Sequence, residues 1–193
     1  MAVYASLVLL APGPTNTLLF ASGLIVGVKN TLPLIAAEVL GYAVAIGIWG
    51  FLLAEITKNH SWTLMIVKLV CCCALLMVAV KLWKYSPEKV KGDGRVISAQ
   101  SLFLATLANP KALLFAGVIF PSVAFDSLSD FVLAVSMFSA VLVPISIAWS
   151  TAGQYLATQG SRHMSIGHVT KVLSALLTFG ASMLFAALVL QKT

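Results

Sequence analysis

The sequence predicts an all-α integral membrane protein: six transmembrane helices forming two inverted three-helix repeats, with the first and fourth helices broken by proline motifs. Three observations carry this reading: an extreme apolar composition, six apolar runs of spanning length, and proline motifs placed mid-run in the first and fourth of them. Of the 193 residues, 60% are hydrophobic and only 9% are charged, against roughly 25% charged in an ordinary soluble domain. A soluble domain of this size could not bury that much apolar surface within itself, so the excess faces lipid. At about 20 residues per spanning helix, the chain accommodates six spans and short loops.

The runs cover approximately residues 3–26, 32–56, 62–84, 99–123, 129–157 and 168–190. Each is long enough to span with allowance for tilt. The first lacks a basic n-region and no small-residue cleavage site follows it, so it reads as a retained span rather than a cleaved signal. Residues 86–98 are the most polar stretch, with Pro87, Gly92, Gly94 and mostly basic charges, and read as a cytoplasmic surface linker. That linker divides a single transmembrane transporter domain, 1–193, into halves of about 1–85 and 99–193.

Loop charge sets orientation. Lys29, Lys81, Lys84, Lys89, Lys91, Arg95, Arg162 and Lys171 lie on the first, third and fifth loops or their flanks. The other side carries Lys58, Lys192 and Lys68, with Glu55, Asp126 and Asp130 on the second and fourth loops. The bias places the odd loops in the cytoplasm and both termini outside. Halves with an odd number of spans lie in opposite orientations if they share a fold, so equal halves of three spans predict an inverted repeat. Leu18-Leu19-Phe20-Ala21 after Pro14 and Leu113-Leu114-Phe115-Ala116 after Pro110 support that relation.

The first span contains Ala11-Pro12-Gly13-Pro14-Thr15-Asn16-Thr17. Each proline removes a backbone donor and clashes with the preceding turn, and pushes the residue before it out of helical geometry. The helix should stop near Ala11 and restart near Pro14, where proline suits a first turn. The fourth span contains Asn109-Pro110-Lys111, which breaks that helix by the same logic and offers Asn109 as a cap for the half-helix that follows. Broken backbone in hydrocarbon is tolerated only against protein or water. Two breaks at matching depths in matching spans point to a central binding site, and half-helix N-termini directed at it favour an anion such as a carboxylate.

Ionisable and polar groups within the spans are few, and each has more than one reading. Glu38 lies in the second span, where a carboxylate is costly unless paired or hydrated. It carries a coupling proton or holds a substrate ammonium group, or it lies near the cytoplasmic interface, since the span begins a few residues earlier. Lys111, at the second break, attracts a substrate carboxylate, pairs with Glu38, or bonds carbonyls freed by the break. Thr15, Asn16 and Thr17 either satisfy freed backbone groups or touch substrate. Ser146, Ser150, Thr151 and Gln154 form a polar stripe at helical spacing on the fifth span, for a pathway or for interhelical hydrogen bonds, with packing favoured. Lys68 snorkels from the outer end of the third span. His163 and His168 read as solvated, and Cys71, Cys72 and Cys73 as small packing residues.

The two motifs also carry a family resemblance. The stretch APGPTNTLLFASGLIVGVKN resembles the PGP signature of the LysE/RhtB amino-acid export translocators, and FLATLANPKALLFAGVIFP resembles that family's second, asparagine-proline-lysine signature. The resemblance covers essentially the whole chain. It implies a multi-pass carrier of the bacterial cytoplasmic (inner) membrane that exports amino acids or related small metabolites, coupled to the proton gradient. It implies substrate-binding roles for Pro12, Gly13, Pro14, Asn109, Pro110 and Lys111, beside Thr15 and Asn16. Two departures bear on substrate: many members have asparagine directly after PGP, whereas this chain has Thr15 and then Asn16, and many have small residues and no acid at the position of Glu38.

Other function classes find little support. No HExxH, GxSxG or close Asp pair lies within the spans, so an enzyme and a resident metal are not expected, and neither is a cofactor. No P-loop is present for direct ATP drive. No repeated filter motif supports the alternative of a small-solute channel or structural membrane protein. The net charge of +6 is scattered over span ends and one loop rather than gathered on a basic face, so nucleic acid is not an expected partner. The expected partners are membrane lipid and a small-molecule substrate, and self-association as a homo-oligomer is compatible with such a chain.

Overall fold

A computed structural model describes residues 2–11, 13–59 and 97–158, with residues 66, 69, 70 and 73 in isolation. Pro12, nearly all of the third expected span, the sixth expected span, nearly all of the linker, Lys68, Cys71, Cys72, His163 and His168 lie outside the described residues. Cys73 is exposed. All regular structure among the described residues is helical.

The first helix, α1, covers Ala2–Leu10, and α2 resumes at Pro14–Val26. The two are bent by 61°. This is the expected break: α1 ends one residue before Ala11, and Pro14 takes the first helical position. A single residue, Gly27, separates α2 from α3, Val28–Asn59. Gly27 has φ of 80°, a conformation that suits glycine and turns the chain sharply. The fourth helix, α4, spans Ala99–Leu107, and α5 begins at Pro110–Leu114 and continues as a π-helical turn over Phe115–Ile119. Its bend from α4 is 47°. A short 3₁₀ turn at Ser122–Phe125 leads to α6, Leu128–Thr158.

Two helices, Val28–Thr57 and Leu128–Thr158, are long and apolar enough to cross a membrane, and each bent pair qualifies as a further span, giving up to four among the described residues. The observed ends extend the expected second span to Val28 and Asn59 and shorten the fourth, whose helix stops at Ile119 before Phe120-Pro121. The π turn explains that early stop. The Phe120 N–H donates to the Phe115 carbonyl at 2.8 Å, which brings both rings onto Phe138 at centroid distances of 4.8 and 5.7 Å.

The helices are ordered inside out. On α3, Leu40, Val44, Ile48 and Leu52 recur every fourth residue and are exposed, whereas Thr31, Glu38 and Tyr42 are buried. An exposed apolar stripe, with Thr31, Glu38 and Tyr42 turned inward among apolar residues, is the pattern of a helix whose outer solvent is lipid. The core joins α1, α3, α5 and α6 through Ala5, Leu9, Tyr42, Ile46, Phe115 and Phe138.

Helix α2 packs most extensively against α6, and two glycines set how closely. A Cβ built on Gly23 would lie 1.9 Å from the Ser150 carbonyl oxygen, and one on Gly153 would lie 2.0 Å from that of Phe20. Small residues that let backbones touch are a main source of association in lipid, where apolar side chains gain nothing by leaving one apolar medium for another. At the end of the same seam, Gln154 Oε1 accepts from the backbone N–H of Val28 at 2.6 Å, satisfying a donor at the start of α3 from a different helix. Gly153→Leu should therefore force α2 from α6 and cost at least about 1–3 kcal/mol, read as a lower midpoint of thermal unfolding in detergent. Gly47→Ala, whose Cβ meets only the movable ring of Phe131, should cost less.

Candidate functional site

The two helix breaks face one another. At the first, the end of α1 leaves carbonyls without helical partners. Asn16, fully within the first turn of α2, reaches back and donates Nδ2 to the carbonyls of Leu9 at 2.7 Å and Ala11 at 2.9 Å. Lys111 reaches across from α5 and donates Nζ to the same Ala11 carbonyl. Aligned on their Leu-Leu-Phe-Ala runs, Asn16 and Lys111 occupy the same position, two residues before the run. Two side chains of equivalent placement in the two halves thus converge on one carbonyl.

Gly13 makes room for that crossing. Its φ of −157° is ordinary extended backbone, so conformation does not require glycine there. Space does: a Cβ on Gly13 would come within 3.0 Å of both Cε and Nζ of Lys111. Pro14 is exposed at the start of α2 and shapes the break without entering the buried junction, and Thr17 returns its hydroxyl to the Gly13 and Pro14 carbonyls at 3.1 and 2.8 Å.

At the second break, Asn109 caps α5 as expected, its Oδ1 accepting from the Lys111 N–H at 3.1 Å. Its Nδ2 donates to the Tyr42 hydroxyl at 3.0 Å. Pro110 takes the first position of α5 and is partly buried. Tyr42 is 1% exposed and is held edge-on by Phe115 and Phe138. One turn before it on α3, Glu38 is wholly buried and accepts from Ser146 Oγ of α6 at 2.6 Å through Oε2. Glu38 lies ten residues beyond the start of α3, about 15 Å along its axis, enclosed by side chains of α2, α5 and α6.

The carboxyl is incompletely paired. Among the described residues, neither Glu38 Oε1 nor Thr15 Oγ1 has a partner in full hydrogen-bond geometry, although Thr15 is fully buried and lies near both the Glu38 carboxyl and the Tyr42 hydroxyl. Lys111 is close enough to act on Glu38 electrostatically, but its ammonium is bonded to Ala11 rather than to the carboxyl. Of the alternatives open for Lys111, the carbonyl freed by the break is the partner observed.

The structure brings together Gly13, Thr15, Asn16, Glu38, Asn109 and Lys111, with Pro110 at the margin. From the fifth-span stripe it recruits Ser146 alone. Ser150 and Thr151 bond the Ile147 carbonyl of their own helix, and Gln154 serves the start of α3. Tyr42 is the junction residue that motif reading passes over. The available signal was its position four residues after Glu38, which places both on one helix face.

Among the described residues, no group of three or more His, Cys, Asp or Glu side chains is arranged to hold a metal ion. Apolar helices of spanning length, with two broken pairs meeting around buried Glu38 and Lys111, are the features of a multi-pass membrane protein. The chain belongs to the LysE type translocator family, whose model matches residues 6–192. That family comprises membrane transporters, not enzymes, and points to export of small solutes such as amino acids. No curated protein and no solved structure matches the chain.

Asn16→Leu removes both side-chain bonds to the end of α1 and leaves the Leu9 carbonyl unpaired, while Lys111 still serves Ala11. The loss should be about 1–3 kcal/mol, measurable as a lower unfolding midpoint in detergent. An unchanged midpoint would show that the break does not need this cap.

Proposed function

We propose that the protein is a secondary transporter that exports amino acids or related small metabolites across the bacterial cytoplasmic membrane, driven by the proton gradient. The observation that carries this reading is the buried carboxyl of Glu38, open at Oε1, with the Lys111 ammonium nearby. A zwitterion complements that pair: its ammonium group meets Glu38 and its carboxylate meets Lys111. The start of α2, where Gly13 provides no side-chain cap, supplies further donors to a carboxylate. Gly13, Thr15, Asn16, Asn109, Pro110 and Lys111 surround the substrate, and Pro12 and Pro14 shape the break.

Glu38 also supplies a coupling route. A proton and a substrate ammonium compete for the same oxygen, so the carrier is loaded with one or the other. Exclusive occupancy converts inward proton movement into outward substrate movement. The two halves form the inverted repeat, with the odd loops in the cytoplasm and the termini outside, so that each break faces the site from its own side of the membrane.

In proteoliposomes loaded with a radiolabelled mixture of the proteinogenic L-amino acids, an imposed pH gradient should drive efflux. Glu38→Gln should abolish the gradient-dependent part, and an unchanged rate and pH profile would exclude the carboxyl from coupling. Lys111→Met should raise KM roughly ten- to hundredfold, the equivalent of about 1.5–3 kcal/mol for a charged hydrogen bond. A normal KM would remove Lys111 from substrate recognition.

A further inference from the structure

Two buried hydroxyl protons and one buried carboxyl oxygen of the junction are left unassigned by the site as described. The Tyr42 hydroxyl accepts from Asn109 Nδ2, so its own O–H remains to be donated. Thr15 Oγ1 lies between that hydroxyl and the Glu38 carboxyl, near enough to interact with each but short of full hydrogen-bond geometry with either. Glu38 Oε1 is open. In space they form one row, from the cap of α5 through α3 and the first turn of α2 to the carboxyl.

From this row we infer that Thr15 and Tyr42 are positioning residues that transmit the occupancy of Glu38 to both helix breaks through a reversible hydrogen-bond relay. The inference rests on the proton-coupled reading above. With Glu38 ionised, the donors run one way: Asn109 Nδ2–H to Tyr42, Tyr42 O–H to Thr15, Thr15 O–H to Glu38 Oε1. Every proton then has an acceptor, and Ser146 holds Oε2. A small movement of the first turn of α2 toward α3 closes the row.

Protonation reverses the order. The arriving proton bonds to Oε1 and is donated to Thr15 Oγ1, and the Thr15 proton turns toward Tyr42. Two donors, Thr15 and Asn109, then crowd one phenolic oxygen whose own proton has lost its acceptor. No heavy-atom bond changes, and one proton is added at Glu38. The strain falls on Asn109, the residue that also caps α5 through the Lys111 N–H. Displacing Asn109 loosens Lys111, and with it the contact to Ala11 at the first break. Thr15, on the first turn of α2, is pulled at the same time. A substrate ammonium on Oε1 donates to the carboxyl as a proton source does but does not impose the same order on the row, so the two loaded states are distinguishable at the breaks.

Among the described residues, few charged or titratable groups face Glu38. Lys111 comes from α5 and Tyr42 from α3 itself. Helices α2 and α6 present Thr15 and Ser146, which do not titrate here, and α4 carries no titratable residue. Asp130 and Tyr155 on α6 and Tyr4 on α1 are exposed, away from the junction.

The experiment compares efflux of the same amino-acid mixture from proteoliposomes across a series of imposed pH gradients, in wild type, Tyr42→Phe, Thr15→Val, Thr15→Ser and Glu38→Gln. Tyr42→Phe keeps the ring between Phe115 and Phe138 and removes only the hydroxyl. The relay predicts that Tyr42→Phe and Thr15→Val lose the dependence of rate on the gradient, and that Tyr42→Phe still exchanges labelled for unlabelled substrate at equal pH. Thr15→Ser, which keeps the hydroxyl, should keep the slope of the wild-type profile. If Tyr42→Phe and Thr15→Val both follow the wild-type profile, the relay is overturned. If Tyr42→Phe unfolds, the contrast of Thr15→Val with Thr15→Ser decides alone: equal profiles overturn the relay and a loss confined to valine supports it. Failure of the underlying reading looks different, since wild type would show no gradient dependence or Glu38→Gln would retain it.

Discussion

A single carbonyl, that of Ala11, lies at the centre of this structure. The prolines of the first span end α1 there, and hydrocarbon offers nothing to replace the helical donor that a continuous helix would have supplied. An unpaired carbonyl so placed costs on the order of a few kcal/mol. The chain meets that cost from two directions, with Asn16 from the helix that follows and Lys111 from the other half of the protein. Everything near the breaks is arranged to let those donors arrive. Gly13 is bare so that the lysine can cross it. Asn109 fixes the backbone of Lys111 at the start of α5.

The cost of burying Lys111 has the same logic. An ammonium far from water is expensive unless hydrogen-bonded and balanced in charge. The carbonyl provides the first and Glu38, when ionised, the second, without the two side chains closing into a bonded pair. A closed ion pair would consume both charges. Keeping them apart, each with a different primary partner, leaves a carboxyl oxygen open and an ammonium that could exchange a backbone carbonyl for a carboxylate. On the proposed function, that separation is what makes the junction usable by a ligand.

Much of this was legible in the sequence because the relevant signals are local. Proline dictates its own neighbourhood, so both breaks, the restart at Pro14 and the Asn109 cap could be placed from residue type alone. The apolar runs gave the second and fifth spans to within a few residues. What could not be read were distances between elements. The choice of Lys111 between Glu38 and a carbonyl depends on how α5 crosses the first break. The position of Glu38 ten residues into α3 depends on that helix beginning at Val28, because Gly27 turns the chain in one residue where a longer loop was expected. The π turn at Phe115–Ile119 has no composition that announces it; it follows from packing two phenylalanines, five residues apart, on Phe138. Tyr42 was hidden because its ring is at home in an apolar span and only its hydroxyl partner, contributed from the other half, reveals what it does.

The two breaks resemble each other in sequence but are not interchangeable. Asn109 closes its own half-helix, so the donors at the start of α5 are already engaged. Gly13 cannot do the same for α2, and the corresponding side-chain position instead sends Asn16 backward to α1. The half with the self-sufficient cap contributes the cation, and the half without one contributes the open donors and the orphaned hydroxyl of Thr15. Two equally capped breaks would form a rigid and satisfied junction. Two uncapped ones would leave too many backbone groups unpaired in the membrane. One of each gives a junction in which the second break is fixed enough to aim Lys111 and the first is open enough to respond.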